Sequence, residues 1–105
     1  MQVSLLDQAK IDLLEIGAYY RELGGAPLAR RMLERIKGPV LKLGRHPEIA
    51  PPYELAPDVR RLVVAKGTFL VFYRVRAAVE VLHIRRAERS PAVATDLTAP
   101  EPAQT

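Results

Sequence analysis

The chain is predicted to be a single α+β domain, an N-terminal antiparallel helical hairpin packed on a small, mainly antiparallel β-sheet. Three observations support this. Apolar residues recur at helical spacing from residue 7 to residue 43. A glycine pair, Gly24-Gly25, interrupts that pattern near its middle. From Val59 onward the chain changes to short runs of valine, leucine, isoleucine and aromatic residues separated by turns, the pattern of a meander.

Gln2 to Leu5 suits a short strand. Asp7 to Leu23 reads as the first helix, because Ala9, Leu13, Ile16 and Tyr20 fall on one face. Lys10, Asp12 and Glu15 are then expected toward solvent, and Tyr20 is a better core candidate than Tyr19. Glycine tolerates the dihedrals that end a helix, so Gly24-Gly25 marks the break. A second helix starts near Ala26, with Pro27 in its first turn where a missing N–H costs nothing. Its apolar face is Ala29, Leu33, Ile36, Val40 and Leu43, and its other face carries Arg30, Arg31, Glu34, Arg35, Lys37 and Lys42. Pro39 removes one helical hydrogen bond and is expected to kink this helix. Residues 47–57 hold four prolines and lose the apolar period, so they read as an irregular loop. Strands follow at Val59–Ala65, Thr68–Val75 and Val79–Arg85. The second is apolar on both faces through Phe72 and is expected to be central. In the third, Val79, Val81, His83 and Arg85 are expected on one face, with Glu80, Leu82, Ile84 and Arg86 on the other. Residues 1–90 form the domain, and 91–105 are a proline-containing tail expected to be loosely ordered.

Composition narrows the function. With 105 residues, 49% of them apolar, the chain can bury one core but has little volume for a large cofactor. It has no cysteine, which excludes disulfides and thiolate metal sites. His46 and His83 are too few for a histidine metal cluster, so neither metal nor cofactor is expected. No apolar run approaches the roughly 20 residues that span a membrane, and the N-terminus lacks a secretory pattern. The expectation is a cytoplasmic protein without membrane contact. The net charge is +4. Residues 1–29 carry 2 basic and 4 acidic side chains, residues 30–89 carry 14 and 6, and the remainder holds only Asp96 and Glu101. A basic middle between acidic ends favours an acidic partner, protein or nucleic acid.

Arginines mark the strand ends: Arg60 and Arg61, then Arg74 and Arg76, then Arg85, Arg86 and Arg89. Guanidinium groups match carboxylate and phosphate geometry, so an arginine-lined face is the expected functional surface. The same residues also serve as charged ends that discourage edge-to-edge pairing. His83 is the candidate acid–base group, since a free imidazole titrates near neutrality. Its valine neighbours suit a sheet residue equally well. Tyr73 reads as core. The chain contains no carboxylate pair, glycine-rich phosphate loop or short catalytic motif.

Several segments together resemble the RelE/ParE family of bacterial toxins from type II toxin–antitoxin modules. They are Ala9-x-x-Asp12-Leu13-x-x-Ile16, Ala29-x-x-Met32-Leu33-x-x-Ile36, Leu43-x-x-His46-Pro47, Val59-Arg60-Arg61-Leu62-Val63-Val64, Phe69-Leu70-Val71-Phe72-Tyr73-Arg74-Val75 and Val79-Glu80-Val81-Leu82-His83-Ile84-Arg85-Arg86. The resemblance covers roughly residues 3–90 and implies the same hairpin-on-sheet fold. It also implies neutralisation by a cognate antitoxin in a toxin–antitoxin hetero-oligomer.

Two activities are implied. RelE-like members cleave mRNA on the ribosome with basic residues and often a tyrosine or histidine near the last strand, whereas ParE-like members poison DNA gyrase. Arg60 or Arg61 matches the arginine that opens the family's central strands. Arg86 falls nearest the place of the family's closing histidine, with His83 three residues earlier. No tyrosine follows Tyr73, and the 47–57 loop has no lysine. These departures favour the ParE-like, non-enzymatic gyrase inhibitor. The alternative is a ribosome-dependent mRNA endonuclease using Arg60, Arg61, His83 and Arg86. A third reading is an inactive relative that only binds antitoxin. The residues expected to contact target or antitoxin are Arg60, Arg61, Arg74, Arg85, Arg86 and Arg89.

Overall fold

Strand β1 (Val3–Leu5) lies at one edge of the sheet, and helix α1 (Asp7–Lys42) packs on one face and returns the chain to the start of β1, where the Met1 amino group donates to Gly44 O at 3.0 Å. The computed structural model describes residues 1–87, so Arg89 and the tail assigned to 91–105 lie outside the described residues. The other strands are β2 (Pro52–Tyr53), β3 (Ala56–Val64), β4 (Phe69–Val75) and β5 (Val79–Arg86). Among the described residues these five strands form one sheet in the order β1-β5-β4-β3-β2, with β1 parallel to β5 and the other neighbours antiparallel. The fold is the α+β hairpin on a mixed sheet that the sequence predicts, with β4 at its centre.

The helix is continuous except at Gly24 (φ −151°, ψ 18°) and Gly25 (φ 85°, ψ 176°). Residues 7–23 and 26–42 therefore form two limbs. They fold back on each other, since a Cβ at Gly17 would stand 3.2 Å from Leu33 Cδ1, sixteen residues away. The dihedrals of Gly25 belong to a region open essentially to glycine alone. Gly25→Ala is expected to cost about 1–3 kcal/mol of stability, read from the midpoint of urea unfolding. Pro39 does not break the second limb. Gly38 before it lacks the Cβ that would clash with the proline ring, and the helix continues to Lys42 without a non-helical dihedral at Pro39.

Two apolar clusters flank the sheet. Ala9, Leu13, Tyr20, Ala29, Ile36, Val40 and Leu43 from the helical side pack on Val71, Tyr73, Val79, Val81 and Ile84. On the far face Phe72 and Leu82 pack with Tyr53 and Val59. Strand β4 serves both clusters by alternation, with Phe69, Val71 and Tyr73 inward and Leu70 and Phe72 outward.

Two expectations are corrected here. The segment 47–57 is not wholly irregular, because Pro52–Tyr53 pairs with the start of β3 and Arg61 N–H reaches Pro51 O at 3.2 Å. Prolines conceal such a strand in the sequence, yet an outermost strand tolerates proline where the missing N–H would have faced solvent. The second correction concerns β5. Phe72 pairs with His83 while Tyr73 pairs with Val81, so Leu82 is an extra residue, a β-bulge. The bulge puts Val79, Val81 and Ile84 together on the helical side and turns His83 to the far face beside Phe72, reversing the alternation expected beyond Leu82.

Candidate functional site

Strand β1 pairs only as far as Val81 of β5, although Leu6 N–H adds one more bond to Val81 O. Beyond that point the outer edge of β5 needs another partner, and a buried N–H left unpaired is costly. Helix α1 supplies one. Asp12, at 6% exposure, accepts the Ile84 N–H at 2.8 Å on Oδ2. The same oxygen accepts His83 Nδ1–H at 2.6 Å, while Oδ1 accepts Gln8 Nε2–H at 2.8 Å. A carboxylate can only accept, so this bond places a proton on Nδ1 of the imidazole. Asp12 was expected toward solvent. Its role comes from the strand-length mismatch, which no helical wheel records.

The edge of β5 and the first limb of α1 bound an open groove of about 900 Å³, lined among others by Asp12, Glu15, Tyr19, His83, Arg85 and Arg86. The Arg86 guanidinium lies over the Tyr19 ring, 4.4 Å from its centroid, a cation–π contact. The His83 ring stacks on Phe72 at a centroid distance of 6.4 Å.

At the other end of the sheet Arg60 and Tyr73 are tied to the 47–50 loop. Arg60 Nη1 donates to Ala50 O at 2.6 Å and Glu48 O at 3.4 Å. The Tyr73 hydroxyl donates to Pro47 O at 2.8 Å and accepts Ala50 N–H at 3.4 Å. Burial raises the Tyr73 pKa above its ordinary value, an effect partly offset by the Ala50 N–H bond and by Arg60.

The arginines therefore do not form one face. Arg60 and Arg86 turn to the helical side at opposite ends, next to the loop and to Tyr19 respectively. Arg61, Arg74 and Arg85 pair in register with Phe72, Glu80 and Leu70 and turn to the far face. Arg61 lies over Tyr53 at 5.6 Å, and Arg74 Nε forms an ion pair with Glu80 Oε1 at 2.6 Å. Arg61 and His83 flank Phe72 on neighbouring strands, about 10 Å apart across the sheet. Arg89 lies outside the described residues. Among the described residues no group of acidic, histidine or cysteine side chains is arranged to hold a metal, and no helix is long and apolar enough to cross a membrane.

A two-limbed helix crossing one face of a β1-β5-β4-β3-β2 sheet is the architecture of the small ParE/RelE-type toxins. The family model for the ParE toxin of type II toxin–antitoxin system, parDE, matches residues 3–91, and the chain belongs to that family. A solved structure described as the chromosomal ParDE TA system from P. aeruginosa is similar, with a TM-score of 0.75 and 27% sequence identity. The match covers 84% of this chain and 97% of that one. No curated protein matches the chain.

Proposed function

We propose that this ParE-family toxin inhibits DNA gyrase without catalysing a reaction and is neutralised by a cognate antitoxin in the cytoplasm. The observation that carries the reading is how the candidate nuclease cations are engaged. Arg60 is bound to two loop carbonyls, while Arg61 and Arg86 lie over tyrosine rings and turn to opposite faces of the sheet. A phosphoryl-transfer site needs such cations converged on one reacting group, with a base within hydrogen-bonding reach. A binding surface has no such requirement. Addition of the purified chain to gyrase and relaxed plasmid is expected to abolish supercoiling and accumulate cleaved gyrase–DNA complexes. Unchanged supercoiling at a tenfold molar excess of the chain rejects the reading.

The nuclease alternative keeps one observation in its favour. His83 is held by Asp12 through Nδ1, on the same face as Arg61 and Arg85. Parallel incubation with programmed ribosomes tests it. Cleavage of the bound mRNA that disappears in His83→Gln would favour the nuclease, and intact mRNA excludes it.

A further inference from the structure

The second limb of α1 carries a concentration of positive charge that neither reading uses. Residues 26–45 hold Arg30, Arg31, Arg35, Lys37, Lys42 and Arg45 against the single carboxylate of Glu34, a local excess of five in a chain whose total is +4. All six cations are exposed, and among the described residues none forms an ion pair. The only side-chain bond among them is the weak one from Arg35 Nη1 to Met32 Sδ at 3.9 Å.

Three of these cations form a line. At 100° per residue Arg31, Arg35 and Lys42 fall within about 40° of one another, spaced about 6 Å and about 10.5 Å along the axis. They lie on the side opposite Ala29, Ile36 and Val40, which face the sheet. Between Arg35 and Lys42 the stripe passes over Gly38, where a Cβ would have no neighbour within 4 Å. The result is a flat, positively charged ridge along the outside of the molecule.

We propose that this ridge is a contact surface for the phosphate backbone of duplex DNA, independent of base sequence. Charge complementarity selects a polyanion, and the composition of the ridge selects among polyanions. A protein partner would bury an apolar or aromatic centre, yet among large hydrophobic residues in this limb only Leu41 is exposed. Single-stranded nucleic acid is gripped by stacking on aromatic rings, and no phenylalanine, tyrosine or tryptophan occurs between Arg21 and Pro52. A duplex asks only for cations at intervals along its backbone. The proposal stands apart from the choice of gyrase or ribosome, because its test contains neither.

The test is fluorescence anisotropy of a labelled 30-base-pair duplex of arbitrary sequence with the full chain, between 50 and 200 mM KCl. Three phosphate contacts predict a fall in affinity of roughly 40-fold over that range. The triple variant Arg31→Gln, Arg35→Gln, Lys42→Gln is expected to bind at least tenfold more weakly at 50 mM, with the slope against log salt reduced by about 2.7. Its unfolding temperature should match that of the parent, because all three side chains are exposed. The charge-matched variant Lys10→Gln, Arg21→Gln, Lys66→Gln should keep most of the binding. Equal losses in the two variants would reduce the effect to net charge and overturn the proposal. Failure to bind duplex at 50 mM would overturn it too. So would tighter binding of a polyglutamate peptide or a single-stranded RNA of equal charge.

Discussion

Asp12→Ala is expected to destabilise the domain by about 2–4 kcal/mol, seen as a lower urea midpoint with an unchanged slope. The carboxylate is nearly buried and accepts three hydrogen bonds, from Ile84 N–H, His83 Nδ1–H and Gln8 Nε2–H. Removing it leaves the Ile84 amide without its acceptor at a point where β1 no longer covers the sheet edge. The His83 ring is 18% exposed, so water recovers part of its share. Asp12→Asn is expected to cost only about 1 kcal/mol. One amide oxygen can still take the Ile84 and His83 protons, and the exposed Gln8 can rotate to present its own oxygen. Gln8→Ala removes the most solvated of the three bonds and should cost least. If alanine at position 12 proved no more harmful than alanine at position 8, the clasp between helix and sheet edge would not be what holds them together.

Asp12 also marks where the sequence stops being legible. The helical hairpin is readable because amphipathic spacing and a glycine pair are local signals, and Ala9, Leu13, Tyr20, Ala29, Ile36 and Val40 are buried as their spacing predicts. Strands β4 and β5 are readable because β-branched and aromatic residues cluster there. Relations between distant segments are not readable in the same way. The bulge at Leu82 depends on how β5 registers with β4, and it decides which face His83 occupies. The burial of Asp12 depends on β1 ending three residues short of Ile84. Strand β2 is hidden by Pro52 and the prolines on either side of it. The arginines show the consequence for the site: their positions in sequence suggest one lined face, whereas register and the bulge distribute them over two faces and two ends. Arg60 in particular looks like a free surface cation in the sequence and is instead bonded to the backbone of a loop ten residues earlier.

That loop is where the second large effect is expected, at Tyr73. Its side chain is fully buried, and its hydroxyl is bonded to both Pro47 O and Ala50 N–H. Tyr73→Phe keeps the ring but strands a carbonyl and an amide, and it is expected to cost about 1–3 kcal/mol near pH 7. Tyr73→Ala adds a cavity beneath the loop and should cost about 3–5 kcal/mol. The hydroxyl also predicts a pH signature. Burial raises its pKa above the value of 10.0 that an unfolded chain would show. For an acid held neutral in the fold, the stabilisation is complete below that unfolded value and is lost as the pH climbs through the raised folded value. The parent should therefore lose stability above pH 10 through Tyr73, and Tyr73→Phe should lack that component. Unfolding midpoints of the two proteins, measured from pH 7 to pH 11, should converge on the alkaline side. A constant gap across that range would mean that the phenol ionises as easily folded as unfolded, and would contradict the buried, doubly bonded hydroxyl described above.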